Sequence, residues 1–231
     1  MKNFGNSKGW TAKPGEEKKE AHKAIRTHNL IIVDESGSMC SIYRQALDGM
    51  NETLQTIRQA AKDYPTQQQL VTLVTFDTGH YKEHFKALPA SKTRHLTDRD
   101  YNPGGGTPLY DAMGRAISDL RGRLEEGDAV LVTVITDGYE NASCEYSGAD
   151  IKAMVEELSK KGWLFTYIGA NQDSIQFSAS ISIKNAMNFD ATAEGTADMF
   201  IKEQQARGRW FQKRMQQPSK TDMSDDCDFF D

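Results

Sequence analysis

The chain has 231 residues with a formal net charge of -5, and 38% of its residues are hydrophobic. This length and hydrophobic content are enough for one α/β domain with a packed core. The weak negative charge argues against a broad cationic surface, so nonspecific binding to nucleic acid or to an anionic membrane is not expected.

The cysteines and the amino-terminal segment bear on the cell compartment. Cys40, Cys144 and Cys227 are odd in number, lie far apart and form no C-x-x-C pair, which favours a reducing environment. Residues 1–26 lack the apolar run of a signal peptide, and no later segment approaches the roughly 20 apolar residues that span a bilayer. We therefore expect a cytoplasmic protein.

The two ends of the chain differ in composition from the middle. Residues 1–26 are rich in lysine, glutamate and glycine without a hydrophobic period, and residues 217–231 are polar and acidic. Such segments bury too little apolar surface to fold by themselves. We predict flexible tails at 1–26 and 217–231 around one domain at 27–216.

Strand and helix patterns alternate along this domain. Predicted strands cover 30–33, 70–76, 81–88, 129–135, 163–168 and 186–189, and predicted helices begin near residues 43, 108, 151, 174 and 192. Segment 129–135 is nearly all apolar or β-branched, as in a central parallel strand, whereas 81–88 is expected at an antiparallel edge. This order predicts a three-layer, doubly wound α/β fold with a mostly parallel sheet and one antiparallel edge strand.

A glycine run precedes the second predicted helix. In the segment 104–108, Thr107 is placed to be the N-cap and Pro108 to be the first helical residue. A phosphate-binding loop would need another glycine where Leu109 stands and a strand immediately before it, so a nucleotide site is not expected here.

Oxygen-bearing side chains follow the predicted strands, where ligand-binding residues of such sheets collect. Asp34, Ser36 and Ser38 follow the first strand, Thr107 precedes the second helix, and Asp137 follows the strand 129–135. Hard oxygen donors of this kind favour Mg²⁺, Mn²⁺ or Ca²⁺. Taken singly, Ser36 and Ser38 could be turn or cap residues, Thr107 an N-cap, and Asp137-Gly138 an ordinary turn.

Together these motifs resemble a known site. Asp34-x-Ser36-x-Ser38, Gly105-Gly106-Thr107-Pro108 and Thr136-Asp137-Gly138 are similar, in order and approximate spacing, to the metal-ion-dependent adhesion site of von Willebrand factor type A (vWA) domains. The resemblance covers roughly residues 28–190. The missing targeting signals and the composition of the tails favour a relative of stand-alone microbial or phage vWA proteins.

The resemblance implies a non-enzymatic module that binds Mg²⁺, with Mn²⁺ and Ca²⁺ as alternatives. Ser36, Ser38 and Thr107 would contact the cation through side-chain oxygens, and Asp34 and Asp137 would act directly or through water. Three neutral hydroxyls leave most of the cation's charge unneutralised, so an Asp or Glu of a partner protein could replace a bound water. Residues expected to contact that partner or to shape its specificity are Gly106, Tyr139, Glu140, Asn141, Asp173 and 40–43.

Three alternatives stay open at this point. A phosphotransferase of the haloacid-dehalogenase kind also places an aspartate after its first strand, but Ser36 stands where its second aspartate is needed. A cation could also be purely structural. Finally, the acidic segment 222–231 could dock on the metal site of its own or a neighbouring molecule and cause self-association.

The five histidines lie in no recognisable catalytic motif and are expected at the surface or in the core.

Overall fold

A six-stranded sheet forms the centre of the molecule in a computed structural model that describes residues 25–170, 174–216 and 229–230. The strands are β1 (Ile25–Asp34), β2 (Gln67–Phe76), β3 (Tyr81–Pro89), β4 (Ala129–Thr136), β5 (Leu164–Ala170) and β6 (Asn185–Phe189). Their spatial order is β3-β2-β1-β4-β5-β6. β3 pairs antiparallel with β2, and every other pair is parallel. The predicted fold class is therefore confirmed.

Helices cover both faces of the sheet. They are α1 (Tyr43–Asp63), α2 (Leu109–Arg121), α3 (Gly148–Ser159), α4 (Ser174–Ser180) and α5 (Ala193–Gln216), with short 3-10 helices at Gly37–Ile42 and Ala90–Lys92. α1 and α5 pack on one face, and α2 to α4 pack on the other. Strands β1 and β4 are central and are covered on both sides, which explains the apolar run 30–33 of β1 and the nearly continuous apolar sequence of β4. None of the helices in the described residues is long and apolar enough to cross a membrane.

The domain extends further toward both ends of the chain than the sequence predicts. β1 begins at Ile25, and the Arg26 Nε donates to Asp128 Oδ1 over 2.9 Å, so the tail prediction is wrong for residues 25 and 26. Phe229, within the predicted tail 217–231, is 5% exposed and its N–H donates to Asn185 Oδ1 over 3.2 Å. A flexible tail is therefore wrong for Phe229, whereas residues 217–228 and 231 lie outside the described residues.

The start of α2 also differs from the prediction. Thr107 is not the N-cap, because Pro108 holds that position. The N-cap residue makes no side-chain hydrogen bond to the first N–H groups of α2. The loop after β4 supplies the missing acceptors: Glu140 Oε2 accepts from the Tyr110 N–H at 2.9 Å, and Ser143 Oγ accepts from the Asp111 N–H at 3.1 Å. The Thr107 side chain is therefore free of the capping role that its position in the sequence suggested.

We expect His84 on β3 to make folding stability sensitive to acid. Burial lowers its pKa to about 4, and its Nε2 lies 2.9 Å from Thr75 Oγ1. The unfolded chain takes up this proton at higher pH than the folded chain, so stability falls as pH decreases from about 6.5 toward 4. Between pH 7 and pH 5 the free energy of unfolding, measured with denaturant, should fall less in the His84→Gln variant than in the wild type. The exposed His95, changed to Gln, is the control, and an identical loss in all three proteins would contradict the prediction.

Candidate metal centre

Five oxygen-bearing residues meet at the carboxyl edge of the sheet. Asp34 ends β1, Asp137 follows β4, and Thr107 precedes α2. The clearest measure of their convergence is the position that a Cβ atom would take at Gly138. Ser38 Oγ and Thr107 Oγ1 each lie 3.2 Å from that point, and Asp34 Oδ2 lies 3.6 Å from it. Side chains some seventy residues apart in the chain thus surround one small volume.

Hydrogen bonds connect the remaining members to this group. Ser36 Oγ lies 3.1 Å from Ser38 Oγ, and the Ser38 hydroxyl donates to Asp137 Oδ1 over 2.6 Å. Asp34 accepts from the Ser36 N–H at 2.7 Å and from the Thr136 hydroxyl at 2.6 Å. The structure therefore brings together all five residues that the sequence singled out. Thr136 belongs to the third motif, and its hydroxyl, to which the sequence assigns no role, orients the Asp34 carboxylate.

The two carboxylates of the group lie in an unfavourable electrostatic environment. Asp34 is fully buried, and this burial raises its pKa to about 6 despite the hydrogen bonds from Thr136 and Ser36. Burial also raises the pKa of Asp137, and its negative charge adds to the shift at Asp34. A cation among these oxygens would stabilise both ionised carboxylates.

The loop that carries Thr107 is held by a clamp. The Thr107 N–H donates to Asn141 Oδ1 over 2.8 Å, and the Asn141 N–H donates to the Thr107 carbonyl over 3.1 Å. A Cβ at Gly106 would lie 2.9 Å from Asn141 Oδ1, so glycine is needed for this approach. The contact of Asn141 and Gly106 with a partner stays a prediction, and the structure shows that they position a candidate ligand, Thr107.

A second set of polar contacts braces the same loops and was not foreseen. His80 lies with Nε2 2.9 Å from Glu35 Oε2 and with Nδ1 2.9 Å from Asp77 Oδ1. Glu35 is buried and also accepts hydrogen bonds from the N–H groups of Asn102, through a carboxylate oxygen, and Gly104, through its carbonyl oxygen. Glu35 lies inside the first motif, so its position in the sequence could have indicated a role at this edge of the sheet. The part played by His80 depends on the β2–β3 turn, and no spacing in the sequence indicates it.

The predicted partner-facing residues have different surroundings. Tyr139 is 57% exposed, whereas the Glu140 carboxylate accepts from the N–H groups of Ala142 at 2.9 Å and Ser143 at 2.7 Å. Cys40 is an exposed free thiol in the 3-10 helix that follows Ser36. Asp173 lies outside the described residues.

The donor set suits a hard cation. Within residues 25–170, 174–216 and 229–230, no three His, Cys, Asp or Glu side chains are grouped so that they could hold a metal by themselves. A cation at this edge would therefore depend on the hydroxyls of Ser36, Ser38 and Thr107 in addition to carboxylates. Oxygen ligands of this kind fit Mg²⁺, Mn²⁺ or Ca²⁺.

Comparison with known proteins supports the resemblance seen in the motifs. The family model of the von Willebrand factor type A domain matches residues 30–203. No curated protein matches the sequence. The vWA structure from Catenulispora acidiphila has a similar fold, with 13% identity, a TM-score of 0.53, and coverage of 80% of this chain and 43% of the other.

Other solved structures show the same fold. The SpRpn10 VWA domain has 12% identity, a TM-score of 0.52, and coverage of 78% of this chain and 95% of the other. The PilB minor pilin from Streptococcus sanguinis has 12% identity, a TM-score of 0.57, and coverage of 83% of this chain and 63% of the pilin. The present chain thus spans less than two thirds of the pilin.

Proposed function

This chain belongs to the von Willebrand factor type A domain family, and we propose that it is a protein-binding module that depends on a divalent cation. Domains of this family are generally non-catalytic interaction modules and often hold a metal ion. The finer proposal is that the cation, Mg²⁺ in the first instance, captures an Asp or Glu side chain of a partner protein.

One observation carries this proposal. Three oxygens from distant parts of the chain, those of Ser38, Thr107 and Asp34, lie within 3.6 Å of one point beside Gly138. Ser36 and Asp137 extend the group through hydrogen bonds to Ser38. A set of turn and cap residues with no common ligand would have no reason to converge in this way. The clamp by Asn141 adds support, because it fixes Thr107 without using its hydroxyl.

The residues have complementary roles in the proposed site. The hydroxyls of Ser36, Ser38 and Thr107 would bind the cation without neutralising it, and Asp34 and Asp137 would orient these hydroxyls and bound water. When bound, the cation would offer a Lewis-acidic position to a carboxylate oxygen. The surrounding loops would then decide which acidic segment binds.

A direct test is Mg²⁺ titration by calorimetry of the wild type, Ser38→Ala and Ser118→Ala. Ser38 is a proposed ligand, whereas Ser118 is an exposed serine on α2 and serves as the matched control. We expect Ser38→Ala to weaken Mg²⁺ binding at least about tenfold, on the scale seen for metal-site substitutions. Ser118→Ala should bind like the wild type. Equal affinity in all three proteins would overturn the proposal.

Further experiments distinguish the proposed module from a phosphotransferase and from a domain with a purely structural metal. Hydrolysis of a generic phosphate ester that is lost in Asp34→Asn would instead support the phosphotransferase, in spite of Ser36 at the acid/base position. Mg²⁺-dependent melting together with an acidic peptide that binds equally in Mg²⁺ and in EDTA would indicate a purely structural metal. The proposed module requires peptide binding that EDTA abolishes.

Self-association through the acidic segment 222–231 is a weaker proposal. Phe229 packs at the amino end of β6, whereas the candidate site lies at the carboxyl ends of β1 and β4. In this arrangement Phe229 lies away from the candidate site of its own molecule. Sedimentation of a chain that lacks 222–231 would decide, because an unchanged oligomeric state would exclude the idea.

A further inference from the structure

One exposed large apolar side chain lies beside the candidate site, and another lies on α4. Tyr139 is 57% exposed and Ile175 is 55% exposed, and they follow the carboxyl ends of β4 and β5. The other exposed large apolar side chains among the described residues are Ile201 and Met215 on α5. Exposed apolar groups next to a polar binding centre are typical of surfaces that are covered by a partner.

Tyr139 and Phe177 share a small cleft with residues of the candidate site. Both line this cleft, whose other walls include Asp137, Gly138 and Ser174. Phe177 belongs to α4. We name Tyr139 and Phe177 the apolar ledge. It begins one residue after Gly138, beside which the candidate ligand oxygens converge.

The ledge rests on a packed aromatic layer. The Phe177 ring lies 5.9 Å from that of Tyr110 with an interplanar angle of 8°, and 5.5 Å from that of Tyr167. Tyr110 belongs to α2 and Tyr167 to β5, so Phe177 is held between elements of the domain core. A surface fixed in advance loses little conformational entropy when a partner binds.

The charge of the ledge also restricts its partner. Apart from Asp137, which belongs to the candidate metal site, the side chains that line the cleft are uncharged. The neighbouring Glu140 carboxylate is engaged by the N–H groups of Tyr110, Ala142 and Ser143. An anionic partner side chain would lose hydration here without gaining an opposite charge, and a cationic one would compete with the metal ion for Asp137, whereas an apolar one would be stabilised by burial.

We propose that the partner segment carries a large apolar side chain two positions from the acidic residue that binds the cation. This inference rests on the proposed function. Alternate side chains of an extended segment share one face and lie about 6.6 Å apart, given a rise of about 3.3 Å per residue. An acidic side chain on the cation and the side chain two positions away therefore face the same surface, on which Tyr139 follows Gly138 directly in the chain. An acidic residue together with a Phe, Leu or Ile at this spacing is therefore the recognition element.

The test uses synthetic seven-residue glycine peptides that contain one Asp. In two of them Phe stands two positions before or after the Asp, and in the reference peptides Ser replaces that Phe. Binding is followed by NMR titration with the full chain in Mg²⁺ and in EDTA. We expect at least one Phe peptide to bind the wild type about tenfold tighter than its Ser counterpart in Mg²⁺, the effect of partly burying a phenyl ring.

Two variants test whether Tyr139 causes the preference for Phe peptides over Ser peptides. Tyr139→Ser should remove most of the tenfold preference, whereas the control Ile201→Ser, a change at a comparably exposed residue of α5, should keep it. Equal binding of Phe and Ser peptides in Mg²⁺, or a preference that survives Tyr139→Ser, would overturn the ledge while leaving the cation-dependent module intact. Failure of the proposed function would appear differently, as peptide binding that EDTA does not change.

Discussion

Replacement of Arg207 by methionine is expected to lower the free energy of unfolding by about 3–5 kcal/mol, the range for removing one partner of a buried ion pair. Arg207 lies on α5 and is completely buried. Its Nε donates to Glu203 Oε1 over 2.7 Å, so the variant would leave the Glu203 carboxylate in the core without its counter-charge. Denaturant unfolding monitored by circular dichroism measures the loss.

The same guanidinium also connects α5 to two central strands. Its Nη1 donates to Asn29 Oδ1 on β1 over 2.9 Å, and its Nη2 donates to Thr133 Oγ1 on β4 over 2.8 Å. Asn29 in turn donates to Gln69 on β2 over 3.1 Å. Loss of Arg207 therefore leaves several buried polar groups unsatisfied, which adds to the cost of the lost ion pair.

Two further variants separate this explanation from a general effect of substitutions in α5. Lys202→Met changes an exposed cation of the same helix, and its free energy of unfolding should stay within about 0.5 kcal/mol of the wild-type value. The double variant Glu203→Leu/Arg207→Met removes both charges and should recover a large part of the stability lost in the single variant. A loss below about 1 kcal/mol for Arg207→Met would contradict the assigned role.

Features that follow from the architecture of the sheet could be predicted from the sequence. The second half of β1 and all of β4 could be predicted, because a strand segment buried on both faces has a mostly apolar sequence. The meeting of Asp34, Thr107 and Asp137 could also be anticipated, because the carboxyl ends of neighbouring parallel strands lie at one edge of the sheet. Both inferences depend on general rules of sheet architecture and need no knowledge of individual contacts.

Interactions between distant polar side chains could not be anticipated in this way. Arg26 looks like part of a charged tail until Asp128, from the turn before β4, is placed beside it. Arg207 stands in a helix of mixed polarity, and its burial depends on Asn29, 178 residues earlier in the chain. The capping of α2 by Glu140 likewise requires the folded loop after β4. Such pairs leave no periodic signal in one sequence.

The second large effect is expected from a single methyl group at Gly138. In Gly138→Ala the new Cβ would lie 3.2 Å from both Ser38 Oγ and Thr107 Oγ1, which is tighter than ordinary van der Waals contact. It would crowd any cation bound by both hydroxyls, because Mg²⁺ needs ligand oxygens at about 2.1 Å in near-octahedral geometry. We expect Mg²⁺ affinity to fall at least about tenfold, measured by calorimetry.

A matched glycine provides the control for this substitution. A Cβ at Gly208 on α5 would meet nothing within 4 Å, so Gly208→Ala should bind Mg²⁺ like the wild type and gain about 0.5–1 kcal/mol of stability from its helical position. Gly138 lacks the positive φ that would strain an alanine, so Gly138→Ala should fold normally. A folded Gly138→Ala protein with wild-type Mg²⁺ affinity would mean that the space beside Gly138 is not where the cation binds. The convergence of Ser38, Thr107 and Asp34 would then need another cause.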